Sequence, residues 1–476
     1  MTNITIGWIA LPFFLGFFIY LFPKLDKFLA LFGTVVSVGY ALQLFAQQSP
    51  LRLVLLDNFG NILFVDQLTG YFILTNALVT AAVLLYCWNT DKTTFFYAQT
   101  LILHGSVNAA FACSDFISLY VALEVSGIAA FLLIAYPRTN RSIWVGLSYL
   151  FVGNTAMLFY LIGAALVYKA NHSFDFVGLR GAPPEALALI FLGLLIKGGV
   201  FVSGLWLPLT HSESETPVSA LLSGVVVKTG VLPLLRCALV VPEIDPIVRI
   251  FGVGATLLGV IYAIFEKDTK RMLALSTISQ LGWILVSPVV GGFYALAHGI
   301  VKAALFLAVG SLPSRNIKEI QQKPINTGLW IVLVVTSLSI SGAPLLVGFG
   351  AKMLTMKNLL PWQSIIMNVA AVGTMICYAR FIFLPHNREQ EVRSGIWAPL
   401  LLLIGALVAT NIFYPQAYTV ANIVKALAII GIGCLSYVFV FKRSFVKLPR
   451  VLERFENLVG FMSLTLIVLF WMRFAA

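Results

Sequence analysis

The 476-residue chain is 60% hydrophobic and only 11% charged, with a mean hydropathy of +0.95. An average soluble domain is about a quarter charged, so this composition excludes an ordinary soluble protein. The formal net charge of +12 would suit a nucleic-acid-binding protein, but basic loops on one face of a membrane account for it equally well.

Apolar runs recur from one end of the chain to the other, and a helix of about 20 such residues crosses a bilayer. The runs lie near 6–22, 27–46, 67–88, 95–114, 116–136, 143–168, 186–209, 216–240, 246–265, 272–290, 292–312, 328–358, 362–384, 396–413, 419–441 and 456–474. The last two are the least secure spans. The sequence therefore predicts an all-α polytopic membrane protein with 14–16 transmembrane helices, the first of them retained rather than cleaved as a signal.

Basic residues are concentrated in alternate loops. The loops after odd-numbered runs, with their edges, hold nineteen Lys and Arg residues, whereas the loops after even-numbered runs hold six. Because cytoplasmic loops carry the excess of Lys and Arg, this bias predicts that both termini lie outside the cytoplasm. It also explains the net charge, so we predict a lipid bilayer and no nucleic acid as partner.

The five cysteines lie far apart and show no CxxC or Cys/His spacing. We therefore predict no metal site. No nucleotide, flavin or quinone motif occurs in the sequence either. The chain is expected to have no cofactor and no redox site of its own.

Charged residues inside apolar runs are the main functional signal. Four lysines lie at such depth: Lys197, Lys228, Lys302 and Lys352. Each costs about 2.5–3.5 kcal/mol at a helix centre on insertion scales, so each needs a partner or water. Removal from water favours the uncharged form, so these lysines can exchange protons near neutral pH.

Glu124 is the clearest acidic counterpart of these lysines. It lies nine residues after Asp115, which marks the membrane edge, and so about 13 Å deep at helical rise. One Glu–Lys pair could simply join two helices. Four lysines together with Glu124 favour proton transfer instead.

The histidines divide between relay and packing roles. His298 precedes Lys302 by four residues and shares its helix face. A hydrogen-bonded packing histidine fits this position too, but the neighbouring lysine favours a proton relay. His104 has no such neighbour, so we expect it to pack.

A short polar loop, "LPLTHSESETPVSA", joins the Lys197 run to the Lys228 run. It carries His211, Glu213 and Glu215. A solvated loop is one interpretation. The other is that His211, and with it Glu213, provides proton relay or access, and we favour this second interpretation.

Two runs are interrupted by glycine and proline, and a lysine accompanies each interruption. The interruptions read "IKGGVFVSGLWLP" beside Lys197 and "LSISGAPLLVGFGAKM" beside Lys352. Broken helices at membrane depth line cavities or pack in protein. Paired interruptions in two halves of a transporter indicate its binding region and an inverted repeat.

These stretches together resemble the proton-translocating antiporter-like family. That family includes the large membrane subunits of complex I and the A-type and D-type subunits of Mrp-type multisubunit Na+/H+ antiporters. The matching text, in family order over roughly residues 66–380, is "LYVALE", "IKGGVFVSGLWLPLTHSESETPVSALLSGVVVKTGVLPLLR", "DTKRMLALSTISQLGWIL", "ALAHGIVKAALFLAVGSL" and "SGAPLLVGFGAKM".

The resemblance implies two inverted five-helix repeats, each with a broken helix and each forming a half-channel. The expected domains are N-terminal helices in 1–90, half-channels in 91–245 and 246–385, and C-terminal helices in 386–476. The resemblance also implies a mid-membrane row of proton-translocating residues with relay or access groups beside it. The row is Glu124, Lys197, Lys228, Lys302 and Lys352, and the groups beside it are His211, His298 and Glu213.

Within the family, an Mrp D-type subunit fits best. Lys352 disfavours the fourth-subunit type of complex I, which usually has glutamate there, and the short C-terminal region disfavours the largest subunit. A complex I-type subunit, or a subunit of a hydrogenase or inorganic-carbon uptake complex, is the alternative. Leu123, Leu209 and Glu215 depart from the family pattern and indicate a divergent branch.

The resemblance also implies the partners and the location. They are other membrane subunits of a hetero-oligomeric antiporter or complex I-like assembly, protons, and Na+ or K+. The expected location is a prokaryotic inner membrane, with a thylakoid membrane as the alternative.

Overall fold

The computed structural model describes residues 2–47, 49–56, 60–412, 414–442, 446 and 448–474. The α-helices in these residues are α1 (Thr2–Leu21), α2 (Asp26–Ala46), α3 (Gln67–Cys87), α4 (Thr94–Ala112), α5 (Phe116–Ile134), α6 (Asn140–Asn171), α7 (Pro184–Lys197), α8 (Leu207–Glu213), α9 (Thr216–Leu221), α10 (Lys228–Val240), α11 (Asp245–Phe265), α12 (Thr269–Leu285), α13 (Gly291–Val309), α14 (Ile317–Ile320), α15 (Thr327–Ser341), α16 (Val347–Lys357), α17 (Pro361–Ile382), α18 (Trp397–Asn411), α19 (Val420–Ser436) and α20 (Phe455–Phe474).

Shorter elements connect these helices. Two π-helical turns occupy Leu222–Val226 and Tyr437–Phe441. Turns of 3-10 helix occupy Pro23–Leu25, Phe176–Arg180, Phe201–Gly204, Pro242–Ile244, Ser394–Ile396, Pro415–Ala417 and Val451–Glu453. The strands are β1 (Leu51–Leu56), β2 (Gly60–Val65), β3 (Ile325–Asn326) and β4 (His386–Asn387).

Every one of the sixteen apolar runs contains at least one α-helix, so the predicted all-α membrane fold is confirmed. Among the described residues, 13 helical stretches are long and apolar enough to cross a membrane by length and composition. They include the last two runs, Val420–Phe441 and Phe455–Met472. The inverted repeats, the boundaries of the four domains and the side on which the termini lie remain predictions.

The region between α2 and α3, expected to be a loop, contains a β-hairpin. β1 pairs antiparallel with β2, with Leu51 opposite Val65. The buried carboxylate of Asp115 accepts hydrogen bonds from the backbone N–H groups of Ile62, at 2.8 Å, and Ser118, at 2.7 Å. Because Ser118 lies in the first turn of α5, Asp115 both caps that helix and fastens the hairpin to it.

A partly buried ion pair joins α3 to α10. Arg236 contacts both carboxylate oxygens of Asp66, at 2.7 and 2.5 Å, and Asp66 also caps α3 by accepting from Thr69 N–H at 2.9 Å. Burial alone would raise the pKa of Asp66, but Arg236 and Thr69 hold this pKa below its usual range. The charged pair therefore fixes the start of α3 against the helix that begins at Lys228.

The predicted break after Lys197 is confirmed. α7 ends at this lysine, and Gly199 follows with a φ of 62°, in the left-handed region that glycine tolerates best. A Cβ at Gly230 of α10 would lie 2.3 Å from the amide nitrogen of Gly198. The close backbone contact between α10 and the break therefore requires glycine.

The second break lies within the predicted stretch, beginning in its first half. α15 ends at Ser341, Gly342 has a φ of 90°, and α16 begins at Val347. Gly348 and Gly350 thus lie inside α16 and not in the break. Gly348 has a different role, because a Cβ there would lie 1.7 Å from the carbonyl oxygen of Ser339. It lets α16 pack directly on α15.

The expectation of a polar loop around His211 is wrong. Leu207–Glu213 forms α8, and α9 begins at Thr216, so only two residues separate the helices. A proline lies near the start of each helix, where the missing N–H costs nothing. His211 is fully buried in this arrangement.

Candidate functional site

The site begins where α5 and α7 meet. The Lys197 Nζ lies 4.0 Å from the Glu124 Oε1 and 3.5 Å from the carbonyl oxygen of Leu123. The Lys197 side chain is 7% exposed and that of Glu124 is 22% exposed. The structure thus brings together the acid and the lysine that the sequence suggested as partners. Their separation of 4.0 Å is longer than a direct hydrogen bond.

Two glycines make room for the ammonium group of Lys197. A Cβ at Gly127 of α5 would lie 2.9 Å from the Lys197 Nζ, and one at Gly153 of α6 would lie 3.3 Å from it. Any larger side chain at Gly127 would therefore occupy the position of the ammonium group. The space beside Glu124 exists because both residues are glycine.

We expect Gly127→Ala to slow transport without preventing folding. The added methyl group meets the mobile end of a flexible side chain, so Lys197 can move aside, but it then moves relative to Glu124. A several-fold lower initial rate of ion exchange in vesicles, at normal abundance, is the expected result. Gly39→Ala is the matched control, because a Cβ there meets nothing within 4 Å. Equal rates for the two variants would contradict the expectation.

Lys228 begins α10, one residue beyond the π-helical turn at Leu222–Val226. In such a turn the backbone hydrogen bonds shift by one residue, which frees carbonyl groups, and such turns often occur at functional sites. The fully buried Lys228 Nζ donates to the carbonyl oxygens of Gly224, at 2.5 Å, and Ser223, at 3.4 Å. Neutral oxygens thus solvate this lysine.

Hydroxyl groups lead from Lys228 towards Lys302. The Ser223 Oγ lies 2.7 Å from the Thr277 Oγ1, which donates to the Leu273 carbonyl oxygen at 2.9 Å. The Lys302 Nζ donates to the same carbonyl at 2.7 Å. Polar atoms of α12 therefore lie between the two lysines.

Lys302 also donates to the Ser276 Oγ, and this hydroxyl lies 2.9 Å from the Tyr378 hydroxyl. The Lys302 ammonium lies 5.7 Å from the centroid of the Tyr378 ring, within the range of a cation–π contact. Like Lys228, Lys302 is fully buried among neutral groups.

His298 lies within electrostatic range of both Lys228 and Lys302. Its side chain is buried, and neither ring nitrogen has a hydrogen-bond partner among the described residues. Buried polar atoms usually have a protein or water partner, so ordered water fits here. His298 and Lys302 both lie in α13, and the relay role of His298 remains a prediction.

Lys352 lies in α16 with its ammonium directed at the end of α15. The Nζ donates to the carbonyl oxygens of Ile340, at 3.1 Å, and Ser341, at 3.4 Å. It lies 5.0 Å from the centroid of the Trp283 ring. The break thus supplies the acceptors, and Trp283 of α12 provides an aromatic face.

His211 and Lys270 lie one on each side of Ser219. The Ser219 Oγ donates to the His211 carbonyl oxygen at 2.7 Å, and the Lys270 Nζ lies 3.4 Å from that Oγ and donates to the Ser214 carbonyl oxygen at 2.8 Å. Lys270 precedes the apolar part of α12, and burial lowers its pKa to about 8. A buried lysine with a lowered pKa therefore lies beside the α8–α9 junction.

The two glutamates of this region form ion pairs near the surface. Glu213 pairs with Arg141 at 3.2 Å, and Glu215 pairs with Lys92 at 2.6 Å. The Arg141 side chain is 56% exposed, so its pair contributes little to stability. Glu213 is not brought into contact with the buried lysines.

Sequence reasoning missed the side chains that contact the buried lysines, namely Ser276, Trp283 and Tyr378. It also missed Thr277 and Lys270, which lie nearby. The run "LALSTISQLGWIL" gave a usable signal, because four hydroxyl and amide side chains within an apolar run need partners. Among the described residues, no group of metal-binding side chains is present.

Comparison with known proteins places this geometry in a family. Residues 113–377, more than half of the chain, match the family described as "NADH:quinone oxidoreductase/Mrp antiporter, TM". The chain belongs to this family. The resemblance identified from the sequence motifs is thereby confirmed.

Individual members of the NADH:quinone oxidoreductase/Mrp antiporter family match to different extents. The D-type subunit of the Na(+)/H(+) antiporter of Alkalihalophilus pseudofirmus is 27% identical, over 87% of this chain and 93% of that protein. The N-type subunit of the NADH-quinone oxidoreductase of Desulforudis audaxviator is 31% identical, over 61% of this chain and 65% of that protein. A chain of the Mrp complex from Dietzia sp. superposes with a TM-score of 0.77 at 17% identity, covering 97% of this chain and 100% of that one.

Proposed function

We propose that the chain is the proton-translocating membrane subunit of a multisubunit Mrp-type Na+/H+ antiporter in a prokaryotic inner membrane. It works there with other membrane subunits. The observation that carries the proposal is how the buried lysines are solvated. Of the four, Lys197 faces a carboxylate, whereas the described contacts of Lys228, Lys302 and Lys352 are to carbonyls, a hydroxyl and aromatic rings.

Lysines that served only to join helices would each need a fixed counter-charge. Neutral acceptors stabilise an ammonium group less than a carboxylate does, so the proton can be held or released at small cost. The proton then moves from the pair of Glu124 and Lys197 to Lys228 and Lys302, with His298 and water between them, and on to Lys352. His211 and Lys270 provide access near the α8–α9 junction.

Replacing Lys228 or Lys302 by Leu should lower the transport rate roughly tenfold or more, since one proton-transfer group typically contributes factors of about 10² to 10⁴. Leu fills most of the lysine volume without a titratable group, so the abundance of the complex should change little. Initial exchange rates in vesicles, normalised to the amount of assembled complex, measure the effect. If the variants fail to assemble, these lysines join helices rather than relay protons.

The function itself is tested with the assembled complex in sealed vesicles that carry a preset pH gradient. Addition of Na+ or K+ should collapse the gradient, whereas choline should not. A gradient that responds to neither cation, but forms when a quinone is reduced, would overturn the proposal.

That second outcome would support the alternative, a proton-pumping subunit of a complex I-type enzyme. It is favoured by the 31% identity to the N-type subunit from Desulforudis audaxviator, although that match covers only 65% of the relative. Neighbouring genes discriminate between the two at little cost. Neighbouring genes for small Mrp-type subunits would support the antiporter. Neighbouring genes for a quinone-reducing module would support the alternative.

A further inference from the structure

A basic cleft lies at one end of the molecule, where α11, α14, α17 and the π-helical turn after α19 meet. It has a volume of about 50 Å³, and four cationic residues line it: Lys267, Lys318, Arg380 and Lys442. These residues come from the ends of four different loop regions, all of which follow odd-numbered apolar runs. The chain thus gathers charges that are far apart in sequence at one place on the face predicted to be cytoplasmic.

The cleft is cationic because its acidic residue is already paired. Glu266 accepts from Arg450 at 2.9 Å and from Arg271 at 3.2 Å, and two backbone N–H groups also bond to its carboxylate. These arginines are not among the residues lining the cleft. The charge of Glu266 is therefore balanced by arginines outside the cleft. It opposes the positive charge of the cleft only weakly.

Apart from Gln321, the rest of the lining is aromatic and apolar, as an amphiphile requires. The ring centroids of Phe265 and Phe441 lie 5.9 Å apart. Phe265 is the last residue of α11, and Phe441 is the last residue of the π-helical turn after α19. Tyr437 accepts a hydrogen bond from the Gln321 side chain at 2.7 Å, which leaves its ring along the wall. The cations follow these rings in sequence, at Lys267 and Lys442, so charge lies beyond the apolar wall towards the membrane surface.

We propose that this cleft binds the phosphate headgroup of an anionic phospholipid. Basic pockets between membrane helices on the cytoplasmic side suit such headgroups, because the ammonium and guanidinium groups pair with the phosphate while the acyl chains lie along the apolar wall. The exposed side chains of Lys318 and Lys442 reach the phosphate from solvent, and the buried Arg380, held by the Glu266 carbonyl at 2.5 Å, forms the inner wall. This site is separate from the row of buried lysines.

The test compares two double variants of the full chain in its detergent-purified complex. Lys318→Gln with Lys442→Gln removes two cations from the cleft. Lys24→Gln with Arg388→Gln removes two exposed cations from loops of the same set, away from the cleft. Short-chain phosphatidylglycerol is titrated and its binding followed by native mass spectrometry, with phosphatidylcholine and inorganic phosphate as comparison ligands.

We expect the cleft variant to bind phosphatidylglycerol roughly 30-fold more weakly at one site, since each basic residue near a membrane surface contributes about fivefold. The control variant should bind like the unmodified complex. Equal loss in both variants, or equal binding of phosphatidylcholine, would show that the cleft does not select anionic lipid. Displacement of phosphatidylglycerol by an equal concentration of inorganic phosphate would identify a small-anion site and overturn the proposal.

Discussion

Replacement of Lys197 by Ala should abolish ion exchange, with a loss of roughly 100-fold or more. In this variant Glu124 loses the ammonium group 4.0 Å away, and the space beside Gly127 and Gly153 holds no proton carrier. Transfer from the first half of the molecule to Lys228 would then stop. Na+-driven collapse of a pH gradient in vesicles measures the effect.

The complex should still assemble, because Glu124 is 22% exposed and can be solvated without its partner. Lys169→Ala is the matched control, since it removes an exposed lysine at the end of α6 and should exchange ions normally. A second variant, Lys197→Ala with Glu124→Gln, removes the remaining charge and guards against misfolding. Near-normal exchange in the single variant would mean that the proton does not pass through Lys197.

Replacement of Lys352 should separate the need for a titratable group from the need for a positive charge. Lys352→Met keeps the length of the side chain but cannot bind a proton, so we expect no transport. Lys352→Glu can bind one, but the carbonyl oxygens of Ile340 and Ser341 repel a carboxylate and accept from a protonated acid. Partial transport with a shifted pH optimum is therefore expected for Glu.

Lys357 offers a control in the same helix, because it is the last residue of α16 and its side chain is exposed. Lys357→Met and Lys357→Glu should both transport normally. Rates are measured across a pH series on assembled complex. If Lys352→Met transports as well as the unmodified chain, the second half of the path must be assigned to other groups.

The sequence alone predicted the parts of the fold that depend on apolar length and on glycine. The sixteen runs and the break after Lys197 follow from local chemistry, since a bilayer demands about 20 apolar residues and consecutive glycines end a helix. The hairpin at β1 and β2 was missed because it is a short pair between two much stronger helical signals. The exact position of the second break within its stretch was not predictable, because Gly348 in the same stretch serves close packing on α15.

The site was predictable as a set of charged residues but not as a set of contacts. A lysine in an apolar run is conspicuous in any sequence, and Glu124 was the one deep acid in the first half. The acceptors of each lysine cannot be predicted from the sequence, because every residue carries a backbone carbonyl group. The π-helical turn before Lys228 and the approach of Trp283 to Lys352 depend on how distant helices pack.

The carbonyl oxygen of Leu273, which lies between Lys228 and Lys302, has more side-chain donors around it than lone pairs. The Leu273 carbonyl accepts from the Ser276 hydroxyl at 2.9 Å, the Thr277 hydroxyl at 2.9 Å and the Lys302 ammonium at 2.7 Å, yet a carbonyl has two lone pairs. A carbonyl oxygen has no proton to donate. It therefore interrupts the chain of hydrogen-bonded hydroxyl groups that would otherwise connect the two lysines. Three side-chain donors therefore compete for this one oxygen. We expect the Leu273 carbonyl to hold these donors in place rather than pass protons, so proton transfer between Lys228 and Lys302 would depend on His298 and water.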